Sequence, residues 1–165
     1  MPEIAVRPAV EADAETIHRL VKGLAEYENL ADKVVSTVAD IRRDGFGPNR
    51  CFEALIGTLD GRPAGLALFY PTYSTFSGSA GLFLEDLFIE PAARGSGLGR
   101  AMMESLARVA ADRGWRSIVL HVLDWNPTRD FYRKLGFAPH QEWLLYTLSG
   151  AALERLAGRP GGRSD

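Results

Sequence analysis

The sequence has little cysteine, few histidines and no long hydrophobic run. The single cysteine, Cys51, cannot form a disulfide within the chain, which suits a reducing compartment, and we expect a cytoplasmic protein. His18, His121 and His140 lie far apart, so no metal-ligand spacing is present and we expect no metal. The apolar runs fall far short of the roughly 20 residues of a membrane span, and the first residues lack a signal-peptide pattern. We therefore expect no membrane association.

The sequence also lacks an excess of positive charge. Its 19 Lys and Arg residues face 21 Asp and Glu residues, a formal net charge of −2, which gives no overall support for nucleic-acid binding. The 165 residues, 46% of them hydrophobic, are enough for one domain with a substantial core. We assign this domain to residues 1–157 and expect a flexible tail at 158–165. Cys51 is expected to be a small core side chain at a strand edge rather than a catalytic thiol.

Strand and helix signals alternate along the chain. Asp13 followed by Ile17, Leu20 and Leu24 predicts a capped amphipathic helix, and Asp60-Gly61 between two apolar runs predicts a hairpin. The predicted strands cover 4–7, 52–59, 62–70, 82–89, 117–123 and 141–147, with a loop at 71–81; the other predicted helices cover 37–44, 97–113, 127–135 and a short segment after Ser149. This order predicts one α/β (or α+β) domain, a mixed sheet with helices packed on it.

The most informative segment is 84–100, where a predicted strand leads through a glycine-rich turn into a helix. Free backbone N–H groups at such a helix start suit a pyrophosphate, and Arg94 and Arg100 add positive charge. A P-loop is excluded because Gly99 is followed by arginine rather than lysine. A dinucleotide-binding oxidoreductase remains an alternative, with Asp124 as the ribose-binding acid, although the glycines follow G-x-G-x-G instead of G-x-G-x-x-G.

Two adjacent acids, Glu85 and Asp86, interrupt the apolar strand before this turn. Neighbouring residues of a regular strand point to opposite faces, and both faces of this strand are apolar. At least one acid is therefore expected to line a polar cleft. A carboxylate in such a cleft could take the proton of an amine, directly or through water.

The pattern R-x-x-G-x-G formed by Arg94, Gly97 and Gly99 resembles the GCN5-related N-acetyltransferase (GNAT) superfamily. Asp124-Trp125-Asn126, the run 131–137 and the opening Val6-Arg7-Pro8-Ala9 extend the resemblance over nearly the whole chain. The segments 24–28, 44–47, 84–86 and 124–126 resemble the diamine acetyltransferases, and 73–76 and 122–126 are closer to their thialysine branch than to the spermidine/spermine branch. The resemblance implies a mostly antiparallel twisted sheet flanked by helices, acetyl-CoA as the co-substrate and a homodimer.

The same resemblance implies roles for individual residues. Glu85 would act as the base through water, Asp86 would bind the substrate, and Tyr132 would protonate the departing thiolate. A bulge in the strand of the two acids, usual in the superfamily, could turn both toward the cleft. Asn126 and Tyr132 are one residue closer than is usual in the family, and Pro127 at the helix start could compensate. His121 is either a substrate contact or an ordinary core histidine. The implied substrate contacts are Tyr27, Glu28, Glu85, Asp86, His121, Glu142 and Trp143; the implied cofactor contacts are Leu87, Phe88, Ile89, Arg94, Gly95, Ser96, Gly97, Leu98, Gly99, Arg100, Asn126 and Tyr132.

These observations predict an enzyme that transfers acetyl from acetyl-CoA to a primary amine of a small cationic substrate. A thialysine- or lysine-like amino acid, a diamine or a polyamine would fit. A protein or peptide N-acetyltransferase is the main alternative, since such enzymes share the cofactor motif. A non-catalytic CoA-binding sensor would require that the base or the acid be missing, and both Glu85 and Tyr132 are present.

Overall fold

The computed structural model describes residues 1–159 and divides the chain into two compact units. The first unit is Met1–His121, and the second begins at Val122. Of the expected tail, Gly158 and Arg159 are hydrogen-bonded to backbone carbonyls of the last helix, while 160–165 lie outside the described residues.

A five-stranded sheet with its strands in sequence order forms the centre of the first unit. The strands are β1 (Ile4–Pro8), β2 (Glu53–Leu59), β3 (Arg62–Ser74), β4 (Ser79–Ile89) and β5 (Ile118–Leu120). The pairs β1–β2, β2–β3 and β3–β4 are antiparallel, and β5 runs parallel to β4. This confirms the predicted mixed, mostly antiparallel sheet. The predicted Asp60-Gly61 turn joins β2 to β3, and both of its residues have the positive φ that a tight hairpin requires.

Three helices of the first unit pack on this sheet: α1 (Ala14–Tyr27), α2 (Val38–Phe46) and α3 (Leu98–Asp112). Ile17 and Leu20 of α1 are fully buried against apolar side chains of β2, β3 and β4, as their helical spacing predicted. Helix α3 lies close to the opposite face, because a Cβ added at Gly65 would lie 2.6 Å from the sulfur of Met102. Both faces of the sheet are therefore covered.

The hairpin between β3 and β4 is longer than predicted. The expected loop at 71–81 shrinks to 75–78, because Ser74 is already paired with Ser79. The loop was expected because residues 71–81 are rich in Ser, Thr and Gly, and a proline within a strand removes one ladder donor. Strand β2 reaches only as far as Phe69, so β3 is an edge strand beyond that residue and tolerates the proline.

Other local expectations also need correction. The strand expected at 117–123 is limited to Ile118–Leu120, and residues 141–147 are irregular rather than a strand. Cys51 is exposed instead of contributing to the core. The carboxylate of Asp13 does not cap α1; it accepts hydrogen bonds from Arg7, at 2.7 and 2.8 Å, and from the backbone N–H of Val10. The buried carboxylate pairs with the partly exposed Arg7 instead of capping the helix, because hydrogen bonds between charged groups are stronger than a neutral cap.

The second unit contains two short helices, α4 (Thr128–Lys134) and α5 (Gly150–Leu156). Gly136, with φ of 98°, terminates the first as predicted, and Ser149 precedes the second. Among the described residues, no helix is both long and apolar enough to cross a bilayer.

Candidate active site

A β-bulge in β4 turns both acids to the same face of the sheet. Leu68 is paired with Asp86 and Phe69 with Leu84, so Glu85 is the extra residue. On the N-terminal side of the bulge, Glu85 points to the same face as Phe83, which is paired with Tyr70. On the C-terminal side, Asp86 is paired with Leu68. Because Tyr70 and Leu68 are two residues apart on β3, the two acids share one face.

This face is the one that α1 covers. Leu68 and Phe88 belong to the same apolar cluster as Ile17 and Leu20, and Gly23 of α1 touches the ring of Phe88. The prediction that a bulge turns both acids is thus confirmed. In a regular strand, Leu84 and Phe88 would lie on the same face of the sheet. They lie on opposite faces here, because the bulge places one extra residue between them.

Three carboxylates meet where β4 passes the end of α1. The pKa of Asp86 is raised to about 6 by burial and, secondarily, by the nearby carboxylates of Glu85 and Glu28. Burial also raises the pKa of Glu28, which follows the last residue of α1, where the helix dipole disfavours a negative charge. Carboxylates this close to one another, with Asp86 and Glu28 partly buried, form a site that a cation would stabilise.

A row of aromatic rings adjoins these acids. The rings of Tyr70 and Phe83 are stacked with centroids 5.1 Å apart, and His121 packs edge-on against Phe83 at the same distance. The hydroxyl of Tyr70 donates a hydrogen bond to Oε2 of Glu85 at 2.8 Å. His121 lies just beyond β5 and is exposed, so its interpretation as a core histidine inside a strand is wrong.

The glycine-rich turn enters α3 through two left-handed glycines, Gly95 with φ of 76° and Gly97 with φ of 95°. Only glycine adopts these angles without strain. The hydroxyl of Ser96 donates to the carbonyl of Ala93 and accepts from the N–H of Leu98, which fixes the turn. The start of this 15-residue helix thus offers backbone N–H groups and the positive end of its dipole, as a pyrophosphate site requires.

Arg94 connects this turn to the acidic site. Its guanidinium lies 4.6 Å from the centre of the Tyr27 ring and 5.9 Å from that of Phe88, and its Nε donates to the carbonyl of Ile89. Such a stack immobilises the arginine through cation–π attraction. Arg100, one turn into α3, is exposed and pairs with Glu104. Both side chains are exposed, but they have different partners: Arg94 stacks on Tyr27, and Arg100 pairs with Glu104.

Among the described residues, no strand pairs with the second edge of β4 next to this turn. It stays paired with β3 up to Ile89, whereas its parallel ladder with β5 comprises only Leu82–Leu84. The backbone groups of Leu87, Phe88 and Ile89 that point away from β3 thus lie beyond that ladder. An extended ligand with amide groups can hydrogen-bond to such an edge.

The second unit holds the remaining candidates. Asn126 is buried, and its side-chain oxygen accepts hydrogen bonds from the backbone N–H and the hydroxyl of Thr128 at the start of α4. Pro127 already has helical angles, which agrees with the expectation that the helical turn begins there. The half-buried ring of Tyr132 packs edge-on against Phe131 and Phe137, with centroids 5.4 and 5.6 Å apart.

Glu142 and Trp143 lie on an exposed, irregular segment of the second unit. His140 is 3.9 Å from Glu142 across a weak ion pair. The structure therefore assembles Tyr27, Glu28, Glu85, Asp86, His121 and the glycine-rich turn within the first unit, and holds Asn126, Tyr132, Glu142 and Trp143 in the second. Among residues 1–159, no group of three or more His, Cys, Asp or Glu side chains has the arrangement of a metal site.

Tyr70 and Phe83 were not among the predicted site residues. Both belong to apolar runs, so nothing in the local pattern distinguishes them from core residues. Their closeness to Glu85 results from the pairing of β3 with β4 and from the bulge.

The fold and this arrangement define a class of protein. The model of the acetyltransferase (GNAT) family matches residues 20–137, and the chain belongs to that family. It is an acetyltransferase, and the family uses acetyl-CoA. The prediction of the superfamily is confirmed.

Two relatives and one solved structure show which proteins of known name or structure the chain is similar to. The thialysine N-epsilon-acetyltransferase of Sus scrofa is 36% identical over 96% of this chain and all of its own length. The spermidine/spermine N(1)-acetyltransferase-like protein 1 of Homo sapiens is 30% identical over 95% of this chain and 24% of its own. An integron cassette protein from the mobile metagenome of V. cholerae has the same fold, with a TM-score of 0.78 and 21% identity over 93% of this chain and 97% of that one. The resemblance to the diamine acetyltransferases is likewise confirmed.

Proposed function

We propose that this enzyme transfers the acetyl group of acetyl-CoA to a primary amine of a small cationic substrate by direct attack. The observation that carries the proposal is the bulge that brings Glu85 and Asp86 to one face beside Glu28. A thialysine- or lysine-like amino acid is our first candidate, because the relatives that match nearly the whole chain include enzymes named for thialysine. A diamine or polyamine is the second.

The acidic site addresses the first requirement of the reaction, which is a neutral amine. A free alkylamine has a pKa near 10, so roughly one molecule in a thousand is neutral at pH 7. Asp86 and Glu28 would hold the substrate as a cation, and Glu85 would accept the proton of the attacking nitrogen through a water molecule. Tyr27, His121, Glu142 and Trp143 are the further proposed substrate contacts.

The glycine-rich turn and the open edge of β4 fit acetyl-CoA, which supplies the thioester. The turn at Arg94–Arg100 would hold the pyrophosphate by its backbone N–H groups. The backbone of Leu87–Ile89 would pair with the pantetheine arm, and the N–H of Leu87 would stabilise the carbonyl oxygen as it gains charge. Asn126 is the further proposed cofactor contact. Tyr132 would donate its phenolic proton to the sulfur as the C–S bond breaks.

The sheet argues against the dinucleotide-binding alternative. That fold needs an open, mostly parallel sheet, whereas only β4 and β5 are parallel here. Peptide acetylation remains the second candidate function, since the exposed aromatics Tyr73 and Phe76 at the hairpin tip offer apolar contacts to a longer substrate.

The test is a turnover assay with acetyl-CoA against thialysine, lysine, ornithine, putrescine, spermidine and a short peptide. We expect the highest kcat/KM for a free cationic amine. A peptide that outperforms every free amine would overturn the substrate class, and absence of turnover with all of them would overturn amine acetylation itself.

We further propose a single domain at 1–157, a cytoplasmic location and a homodimer. The family match crosses the boundary between the two units, which supports their acting as one domain. Thermal unfolding in one transition would be expected, with two separate transitions as the contrary result. Sedimentation equilibrium tests the dimer, which rests on the family resemblance alone.

A further inference from the structure

Tyr70 occupies a position at the acidic site that the proposed reaction does not yet use. Its hydroxyl donates to Oε2 of Glu85 at 2.8 Å, and its ring stacks on Phe83 with an interplanar angle of 17°. Phe83 is in turn held by His121 on another side. The ring that carries the hydroxyl is thus fixed by packing, while the glutamate that receives its hydrogen bond is exposed.

An exposed glutamate needs such support to act as a base. Its side chain has three rotatable bonds, and ordering it costs up to about 2 kcal/mol of conformational entropy. The bulge orients the backbone of Glu85 but does not select a rotamer for the carboxylate. A hydrogen bond from a side chain that is already immobilised selects one.

We infer that Tyr70 is a positioning residue that holds one carboxylate oxygen of Glu85, so that the other oxygen is presented to the water or amine at the reacting nitrogen. The inference rests on the proposed function of Glu85 as the base. A side chain of β3 thus selects the orientation of the Glu85 carboxylate, although no active-site residue was expected on β3.

Tyr70 is suited to donate over the whole working range of pH. Burial, the hydrogen bond to Glu85 and the charges of Glu85 and Asp86 raise the pKa of its phenol to about 12. The hydroxyl therefore keeps its proton at neutral pH and cannot serve as the base itself. The nearby titratable groups are Asp86, the next residue on β4, Glu28, whose charge acts on Asp86, and His121, which packs against Phe83.

The test is Tyr70→Phe, which removes the hydroxyl and keeps the ring that stacks on Phe83. Tyr146→Phe is the matched control, since it deletes the same atom from an exposed tyrosine to which the proposed reaction assigns no role. We expect kcat at pH 7 to fall about tenfold, the loss that corresponds to one hydrogen bond to a charged group. KM for acetyl-CoA and the melting temperature should stay unchanged, and Tyr146→Phe should match the wild type throughout.

Two further readouts separate positioning from a merely structural role. The defect of Tyr70→Phe should shrink at pH 9, where neutral amine is more abundant and the base matters less. In the Glu85→Gln background, Tyr70→Phe should cause no additional loss, because the group that it positions is gone.

Three results would overturn the inference. Wild-type kcat in Tyr70→Phe would show that the hydroxyl is not needed, and a full additional loss in the Glu85→Gln background would show that it acts elsewhere. If Glu85→Gln alone kept wild-type activity at pH 7, the base assignment would fail and the inference with it. That third result is distinct from the first two, in which Glu85→Gln is impaired and the base assignment stands.

Discussion

The acidic site on β4 and the glycine-rich turn before α3 are built in opposite ways. The acidic site consists of side chains, Glu28, Glu85 and Asp86, whose charges are held close together at a stability cost. The turn consists of backbone, where Gly95 and Gly97 expose N–H groups by adopting angles that other residues avoid. Side-chain chemistry is recognisable from residue type, whereas a backbone site is recognisable only from the glycines that permit it.

The comparison also shows how the two regions depend on each other. Arg94 belongs to the turn, yet its guanidinium stacks on Tyr27, the residue before Glu28. A single side chain therefore spans from the proposed pyrophosphate site to the proposed amine site. Substitutions that change the charge of the acidic site, or the backbone freedom of the glycine-rich turn, test the two regions separately.

The largest effect is expected for Glu85→Gln. Without a base, kcat/KM at pH 7 should fall about 1,000-fold, within the usual range for general acid–base catalysis. At pH 9 the loss should be far smaller, because an amine with a pKa near 10 is then about 100 times more abundant in its neutral form. A pH–rate profile measures both, with the exposed Glu11→Gln as the control. An equal loss at both values of pH would show that Glu85 binds the substrate instead of managing its proton.

Tyr132→Phe tests whether the cofactor side also uses a reactive side chain. The ring would keep its contacts with Phe131 and Phe137, so folding and acetyl-CoA affinity should change little. We expect kcat to fall about 100-fold, the scale of losing a general acid. The defect should shrink with a thioester whose leaving thiol is more acidic. Near-normal turnover with acetyl-CoA would show that the phenol is structural and that the thiolate takes its proton from water.

Asp86→Asn tests whether the acidic site is destabilising. Asp86 has its pKa raised from 3.8 to about 6, so the folded state resists ionisation more than the unfolded state does. The stabilisation by its neutral form is present below pH 4 and is lost as the pH rises through 6. At pH 8, Asp86→Asn should therefore raise the free energy of unfolding by up to about 3 kcal/mol, while raising KM for the amine.

Urea titrations at pH 4 and pH 8 provide the measurement, with the exposed Asp32→Asn as the control. The gain should vanish at pH 4. A stability gain of equal size at both values of pH would indicate improved packing rather than the removal of a buried charge.

The smallest effect is expected for the backbone of the turn. Gly97 and Gly114 lie at opposite ends of α3, and both have positive φ. Alanine at either position introduces left-handed strain of roughly 1–2 kcal/mol. Both variants should lose similar stability, but only Gly97→Ala should weaken acetyl-CoA binding, by about tenfold, in calorimetric titrations. Equal affinities in the two variants would remove the turn from the cofactor site.

The fold was predictable where the pattern is local. The spacing of Ile17, Leu20 and Leu24, the Asp-Gly hairpin and the glycine-rich strand-to-helix turn each depend on a few neighbouring residues. The predictions failed where the local structure depends on segments that are distant in the sequence. Pro71 stays in β3 because the pairing with β2 stops at Phe69, and residues 141–147 contain the apolar run Trp143–Tyr146 without forming a strand.

The candidate site divides in the same way. The sequence by itself determined the family, the glycine turn and the presence of two adjacent acids, because these depend on residue identity and spacing alone. Only the tertiary structure decided that Glu85 is the bulged residue, that Glu28 lies near enough to raise the pKa of Asp86, and that Tyr70 contacts Glu85. Each of these results from one register between β3 and β4 and from the packing of α1, and a register joins residues whose separation along the chain carries no local signal.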